Sequence, residues 1–366
     1  MTKAAELAKW GEVSTNGQVS GRRNIIINGA MKVAQRSTSV TGLGATAGYH
    51  TLDRFRASLA DTAGRFTMSQ TADGPSGFAN CLKLDCTTAD ASIAATEQLT
   101  ILQRIEGQDL QQFKKGTSDA EYFTVSFYVK ANASATYVLE LFDNDNSRQI
   151  SKLFNVTNSW SRVVLTFPPD TTGAFNNDNG LSLTLSFQLH LGSNFTSGTL
   201  NTAAWASNTN ANRAAGIDSF FSSTDNTFFL TGLQLEVGSV ATPFEHRSYG
   251  EELALCQRYC HRINSNGSDD IQIGSGFYMT TTTCRITINF PVTMRAECAV
   301  TALDSGLDIL RDNTSDTAIS ITSSIDESAH GTGLNIEGAV STTVGEGVVL
   351  RLGNEAANFI EFDAEL

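Results

Sequence analysis

The sequence predicts an all-β protein: a jelly-roll β-sandwich, preceded by a short N-terminal helix and followed by a second, smaller β-sandwich-like domain. Only 17% of the 366 residues are charged, and Thr, Ser, Asn and Gly dominate the polar positions. Apolar and polar residues alternate in many short runs, which turn-forming segments separate. Because no helices intervene between most of these runs, antiparallel sheets packed face to face are favoured over a doubly wound α/β fold.

Residues 1–23 are predicted to form a short helix and a connector. Ala, Leu and Glu follow one another in helix-forming order over residues 3–12, and Gly11 with the polar stretch after it ends the pattern. A helix this short is marginal alone in water, so it needs a surface on which to dock. Leu7 and Trp10 are its candidate anchors, and a frayed terminus is the alternative.

The main domain is predicted over residues 24–247, with strand patterns that begin at 24–27 and recur to about residue 237. The clearest pattern lies over Leu181–Leu191, where Leu or Phe occupies every second position, as on one face of a half-buried strand. The other alternating runs lie at 123–129, 137–141, 163–167 and 233–237.

A helix is predicted to link the two domains over residues 248–263. Ser248 and Glu251 form a capping box at its start, and an apolar face follows at Leu253, Cys256, Tyr259, Cys260 and Ile263. Strand patterns return in residues 264–366, at 284–290, 299–303, 348–352 and 359–362. No internal repeat of fixed period occurs, so a solenoid, β-helix or propeller is not predicted.

Charge and hydropathy exclude several classes of partner. The net charge of −13 opposes binding to nucleic acid, which requires Lys and Arg to neutralise phosphates. No apolar run is long enough for a membrane helix, and the first residues lack the pattern of a signal peptide. Synthesis in a reducing cytosol is therefore expected, with the cysteines as thiols: Cys81, Cys86, Cys256, Cys260, Cys284 and Cys298.

Four segments carry a more specific signal. They are NIIINGAMKVAQRSTS with YHTLDRF (24–39 and 49–55), the segment 82–107, LTGLQLEVGSVATPFEHRSYGEELALCQRYC (230–260) and FIEFDAEL (359–366). The third is the most specific, because a Gln-Leu-Glu-x-Gly strand end, a Pro-Phe-Glu step and a helix ending in Cys-Gln-Arg-Tyr form one continuous pattern. Together the segments resemble a family of tailed-bacteriophage virion proteins with a carbohydrate-binding-module-like jelly roll.

The resemblance implies a structural role in the virion. A tail fibre would attach through its N-terminus to adaptor, nozzle or portal-proximal tail proteins and present its β domains to a host-surface glycan, after assembly in the host cytoplasm. Because tail fibres are commonly trimeric, it also implies a homotrimer engaged in receptor binding and host adhesion. A capsid decoration or collar protein without glycan binding is the alternative. A glycan depolymerase is less well supported, because the chain lacks the repeats of the usual β-helical enzymes.

The candidate glycan ligands lie in the long turn-rich segment 192–226. Sugar-binding sites combine aromatic platforms with amides and carboxylates, and Trp205 stands among asparagines that include Asn208, with Phe220 and Phe221 further on. Tyr128, on a strand, is a further candidate. The alternative is that Trp205 and the two phenylalanines pin the segment to the sandwich.

No catalytic residue, metal ligand or cofactor is predicted. Cys256 and Cys260 with His261 have the right atoms for a metal, but the two thiols fall on the buried face of the predicted helix, which favours packing. Sugar-binding jelly rolls often hold a structural calcium, and the Asn28-Gly29 turn, Asp53 and Glu236 could supply ligands. Because Ala30 and Met31 stand where an acidic residue usually follows that turn, calcium is not predicted.

Overall fold

The computed structural model describes residues 22–265, 267–302, 306–312, 314–316, 319–338 and 342–366. These residues form an all-β protein, which confirms the predicted fold class. The chain divides into two compact units, of which the first ends at Glu252 and includes Leu366, and the second spans Leu253–Glu365. The predicted anchors Leu7 and Trp10 lie outside the described residues. No helix in the described part of the chain is long and apolar enough to span a membrane.

The first unit contains two antiparallel sheets. Sheet I has the strand order β1-β4-β5-β13-β7-β10, and sheet II has the order β12-β9-β8-β11-β6-β3-β2. The strands are β1 Ser39–Leu43, β2 Gly48–Tyr49, β3 Arg56–Ala60, β4 Arg65–Thr71, β5 Cys81–Thr88, β6 Gln98–Glu106, β7 Phe123–Ala131, β8 Ala135–Asp143, β9 Arg148–Val156, β10 Ser161–Phe167, β11 Leu181–Leu191, β12 Ala206–Ser207 and β13 Thr227–Val237. A short helix, α1, spans Ser193–Thr196.

The core of this unit lies between the two sheets. Phe127 of sheet I contacts Phe187 and Phe154 of sheet II edge-on, with 5.1 Å between the ring centroids in each pair. All three side chains belong to one continuous buried cluster to which both sheets contribute. Burying a Phe side chain contributes about 1.5–3 kcal/mol, so these contacts stabilise the face-to-face packing.

Strand β11 has the predicted bounds, and its central apolar residues, from Leu183 to Leu189, lie in the core. Leu191 does not, and packs instead with Phe195 and Ala214 in a separate cluster. The cause is a register shift between Gln188 and His190 relative to β6. The predicted strand was half-buried, but the polar face of β11 is buried as well, because segment 192–226 covers it.

The predicted strand at 24–27 is wrong, since these residues form no ladder. Ile25 donates one backbone hydrogen bond to Leu235, and Ile27 donates to the side-chain oxygen of Gln103 at 2.9 Å. Both isoleucines are buried, so the apolar signal was sound. A side-chain acceptor in place of a neighbouring strand satisfies the amide of Ile27.

The linking helix begins as predicted but is shorter. Helix α2 spans Tyr249–Gln257, and Ser248 and Glu251 form the capping box, in which the Ser248 hydroxyl donates to the Glu251 carboxylate at 2.7 Å. The prediction that it continues to residue 263 is wrong, because Cys260–Asn264 form a strand. Pairing with a C-terminal strand gives these residues a full ladder, which overrides the helical spacing.

The second unit is also built from antiparallel sheets. Sheet III has the order β14-β23-β17, and sheet IV has the order β19-β18-β22-β15-β16-β21-β20. Ile360 and Phe362 of sheet III share one core cluster with Tyr278, Ile286 and Leu350 of sheet IV. The strands are β14 Cys260–Asn264, β15 Ile271–Tyr278, β16 Thr283–Asn289, β17 Ala299–Ala302, β18 Leu307–Arg311, β19 Thr314–Asp316, β20 Ile319–Ser328, β21 Gly331–Gly338, β22 Gly347–Leu352 and β23 Phe359–Asp363.

Candidate functional site

Three of the predicted glycan ligands are core residues. Trp205 is only 6% exposed, and its indole N–H donates to the carbonyl of Pro168 at 3.0 Å. Phe220 and Phe221 are fully buried, and both rings pack against Phe66. A buried ring cannot stack on a sugar, so the predicted platform is wrong. The alternative is correct: these side chains pin segment 192–226 to the sandwich.

The other two predicted ligands lie on different sheets. Asn208 is exposed next to β12 of sheet II, where its backbone amide donates to the Ser147 carbonyl. Tyr128 is half-buried on β7, in sheet I. The structure therefore does not bring the predicted set together, but Tyr128 belongs to a different cluster of aromatic residues.

That cluster runs across the outer face of sheet I and is called the aromatic strip below. Strand alternation places Phe127 and Val129 in the core and turns Tyr128 to the outer face. In register, Tyr128 stands opposite Arg162 on one side and Thr231 on the other. The members of the strip are Phe78, Tyr128, Trp160, Phe229, Phe244 and His246, and all except Phe229 are half-buried or exposed.

At one end of the strip, three aromatic rings surround Phe78. Its ring centroid lies 5.2 Å from that of Tyr128, 5.0 Å from Phe244 and 5.1 Å from His246. Burial against these rings, with a smaller contribution from the charge of Lys32, lowers the pKa of His246 below its ordinary value. The imidazole is therefore neutral near pH 7 and can accept as well as donate a hydrogen bond.

Gly232 allows this end of the strip to form. The register of β13 against β7 shifts between Thr231 and Gln234, as in a β-bulge, and Gly232 has φ of 61° there. A Cβ at this position would lie 2.7 Å from a ring atom of Phe78 and 2.8 Å from one of Tyr128. The bulge glycine therefore lets both rings rest directly on the strand.

The other end of the strip combines rings with charges. The Lys130 ammonium lies 4.4 Å from the ring centroid of Phe229 and 5.3 Å from that of Trp160. It also pairs with the Asp73 carboxylate at 2.6 Å, and the Trp160 indole donates to the Asp73 carbonyl at 3.1 Å. Lys83 approaches Phe229 from the neighbouring strand, at 5.5 Å. This end offers an aromatic surface beside a cation and an anion.

The chemistry of the strip suits an uncharged polyhydroxylated ligand. Partly exposed rings can stack on the C–H faces of sugar rings, while Lys130, Asp73 and His246 provide donors and acceptors for hydroxyl groups. Only Tyr128 of these residues was a predicted ligand. Trp160 could have been found from the alternation of β10, because it lies immediately before that strand and two positions before Arg162, which is on the outer face. Phe78 lies in a turn-rich segment without any period, and only the tertiary structure places it.

A second polar region lies on the outer face of sheet II, under segment 192–226. Arg213 donates to the two Glu140 oxygens at 2.8 and 2.6 Å, and Gln188 donates to the same carboxylate at 2.7 Å. Burial alone would lower the pKa of Arg213, but its bonds to Glu140 outweigh this and raise it. Glu140 and Gln188 are almost fully buried, so this network fastens the segment to the sheet.

The residues considered for calcium are engaged in local contacts. The Asn28 amide donates to the carbonyls of Val33 and Asp53 at 2.8 and 3.0 Å, and the Asp53 carboxylate accepts from the Gln35 amide. Glu236 accepts from Thr242 at 2.9 and 2.7 Å. These side chains hold the loops around them.

The six cysteines are all buried thiols. Cys256 and Cys260 have no exposed surface in the second unit, and the neighbouring His261 ring stacks on Phe362 with 5.9 Å between centroids. This agrees with packing as the role of the Cys256-x3-Cys260-His261 sequence.

Comparisons with known proteins give remote likenesses. No family model and no curated protein matches the chain. Among solved structures, the enzymatically active domain of bacteriophage CBA120 tailspike protein 4 is 11% identical with a TM-score of 0.30, covering 58% of this chain and 21% of that one. A CBM4 module is 12% identical with a TM-score of 0.29, over 57% of this chain and 97% of the module.

A third similar structure is TmCBM61, which was solved with β-1,4-galactotriose and is 9% identical with a TM-score of 0.30, over 59% of this chain and 99% of that one. The present chain thus spans about a fifth of the tailspike chain that it matches. Likenesses with TM-scores of 0.29–0.30 carry no information about the ligand or activity of this chain.

Proposed function

We propose that this chain is a structural protein of a tailed-phage virion, a tail fibre that binds a host-surface glycan without cleaving it. Its N-terminal segment would attach to tail proteins, and its β units would face the host, in a homotrimer. The four sequence segments that resemble phage virion proteins support the virion role. The all-β architecture, with a binding surface on a rigid sheet, is suited to an adhesion protein.

The aromatic strip is the observation that carries the glycan part of the proposal. Half-exposed rings of Phe78, Tyr128 and Trp160 lie on one sheet face, where regular strands and the bulge fix their positions. Rigid aromatic surfaces lose little conformational entropy on binding, and they can stack on sugars. The Lys130–Asp73 pair beside them can form hydrogen bonds with the hydroxyl groups of a sugar.

The test uses the full chain on a glycan array, followed by calorimetry with the best ligand. Tyr128→Ala and Trp160→Ala should each weaken binding about 5- to 30-fold, because losing a stacked ring costs roughly 1–2 kcal/mol. Tyr122→Ala is the matched control, since Tyr122 is 43% exposed and lies outside the strip. Its affinity should equal that of the unchanged protein.

Two results would contradict the glycan proposal. If the chain binds no glycan on the array, or in cell-surface polysaccharide from susceptible hosts, the glycan part is wrong. If binding is present but Tyr122→Ala weakens it as much as Tyr128→Ala does, the strip is not the site. The absence of new reducing ends after incubation with the ligand would support binding without catalysis, and their appearance would favour a depolymerase.

Position on the particle separates the tail fibre from a capsid decoration or collar protein. A cryo-EM map of the whole virion should place the chain on the tail, with its N-terminus at the attachment point. A version that lacks residues 1–20 should fold but fail to join virions. Density on the capsid lattice, or normal incorporation of the shortened chain, would refute tail attachment.

A further inference from the structure

Three side chains with metal-ligating atoms converge at one end of the first sandwich. Asp90 lies in the connection that follows β5, Glu97 immediately precedes β6, and His190 is close to the end of β11. Their ligating atoms lie within 4.8 Å of one another, and all three residues are buried. The start of β6 and the end of β11, which are neighbouring strands of sheet II, therefore meet the connection from β5 of sheet I at one cluster.

An ion shared by His190 and Glu97 would replace the hydrogen bond between them. His190 Nε2 lies 3.0 Å from Glu97 Oε2, and its other nitrogen, Nδ1, lies 2.7 Å from Ser219 Oγ. Metal-bound histidines in proteins use one nitrogen for the ion while an outer partner fixes the other. Ser219 is placed to be that partner.

The charge balance of the cluster calls for a cation. In the part of the chain that the structure describes, neither Asp90 nor Glu97 forms an ion pair with Lys or Arg, and His190 is their basic neighbour. Elsewhere in the same unit, buried Glu140 pairs with Arg213 at 2.6 Å. Two buried carboxylates beside one imidazole are costly unless a positive charge joins them.

Asp90 is positioned by three hydrogen bonds. Its carboxylate accepts from the amides of Ala63 and Ser92 at 2.9 and 3.3 Å and from the Thr62 hydroxyl at 3.2 Å. A carboxylate has about four lone-pair sites, so these three bonds leave one for coordination. The geometry therefore allows Asp90 to act as a ligand.

We propose that Asp90, Glu97 and His190 bind one divalent transition-metal ion of the Zn²⁺ type. An imidazole with two carboxylates suits such an ion better than Ca²⁺, which prefers oxygen ligands throughout. Ligands placed about 2.1 Å from a tetrahedral ion lie about 3.4 Å apart, so His190 and Glu97, now 3.0 Å apart, would separate slightly, and any wider separation within the 4.8 Å cluster would shorten. Three of the four positions would then be filled. Water can supply the fourth.

The metal would hold both ends of segment 192–226 in place. Gly192, where the segment begins, donates its amide to the Glu97 carbonyl at 2.9 Å, and the Asp90 amide donates to the carbonyl of Phe221 at 2.8 Å near its end. An ion that ties Asp90 and Glu97 to His190 therefore fixes both ends of the covering segment. The site does not depend on glycan binding, so the two proposals can fail separately.

The test is a metal titration of the full chain. After removal of metals with a chelator, Zn²⁺ should bind with one equivalent by calorimetry and raise Tm by about 5–10 °C at saturating concentration. Ca²⁺ should produce no comparable shift. Co²⁺ should give the visible spectrum of a tetrahedral site with nitrogen and oxygen ligands, without a thiolate charge-transfer band.

Two variants assign the site. His190→Gln and Glu97→Gln are close in shape, and each should weaken Zn²⁺ binding at least about 100-fold. His330→Gln, which removes an exposed histidine, is the control and should bind as the unchanged protein does. The proposal is overturned if Zn²⁺ does not raise the Tm of the metal-free protein, if the Co²⁺ spectrum shows thiolate ligands, or if neither ligand variant changes the affinity for Zn²⁺. If a variant misfolds, the Zn²⁺ titration of the unchanged chain still tests the proposal.

Discussion

Lys115→Met removes a fully buried ammonium group from the first unit. The Lys115 side chain has no exposed surface, and its Nζ lies 2.5 Å from Asp143 and 3.1 Å from Asp170. It also donates to the carbonyls of Thr172 and Gly173 at 2.9 and 2.7 Å. Met keeps a similar length and volume, so the change removes charge and hydrogen bonds and leaves little cavity.

The expected loss in the free energy of unfolding is about 3–5 kcal/mol. Removing one partner of a buried ion pair costs about that much, because the other charge stays buried and uncompensated. Asp170 keeps a partner in Arg148, at 2.7 Å. Asp143 is left with the Asn146 amide groups, so most of the cost arises at Asp143.

Urea unfolding, followed by tryptophan fluorescence, measures this loss. Trp205 lies 5.5 Å from the Lys115 ammonium, so its emission reports on the affected region. The midpoint should fall by about 1–2 M urea, at the slopes usual for a domain of this size. Lys114→Met is the matched control: Lys114 pairs with Glu121 at 3.3 Å, but its side chain is 52% exposed, so it should lose less than about 1 kcal/mol.

A double variant separates charge from packing. Lys115→Met with Asp143→Asn removes both charges, and it should recover most of the loss because no buried charge is then unpaired. If the double variant is as unstable as Lys115→Met, the loss comes from packing around Phe175 and Trp205. If Lys115→Met costs no more than Lys114→Met, the ion pair does not stabilise the fold and the reasoning is refuted.

Three further expectations follow from burial and backbone geometry. Gly232→Ala should lower the free energy of unfolding by roughly 1–3 kcal/mol and displace the Phe78 ring, because φ is 61° and an added Cβ would lie 2.7 Å from that ring. Urea unfolding measures the loss, and near-ultraviolet circular dichroism reports the displaced ring. Burial raises the pKa of the Cys81 thiol, so mass spectrometry should find it unlabelled by iodoacetamide until urea unfolds the chain. Burial lowers the pKa of His261 below 6.5, so the unfolded state binds more protons than the folded state as the pH falls. The second unit should therefore lose stability below about pH 6.5. The urea midpoint of the His261→Phe variant should no longer show this dependence on pH.

Positions of the regular strands could be predicted because their signal is local. Side chains of a strand alternate between two faces, so the run of Phe and Val in β7 and the Leu-rich β11 predict a buried face without knowledge of their neighbours. The outward direction of Tyr128 follows from the same alternation. Helix α2 illustrates the limit: its capping box is local and was predicted, but its end depends on pairing with β23, which no local pattern reveals.

The sequence by itself determined the fold class, most strand positions and one member of the aromatic strip. Tertiary structure decided which aromatic residues of the irregular segments are buried, since a loop residue has no period to indicate its direction. Trp205 lies in the core because it immediately precedes β12, at the edge of sheet II, and its ring packs 5.4 Å from that of Phe123 in sheet I. Phe78 and Phe244 lie outside because their segments cross the outer face of sheet I. The same holds for Asp90, Glu97 and His190, whose meeting depends on the connection between the two sheets.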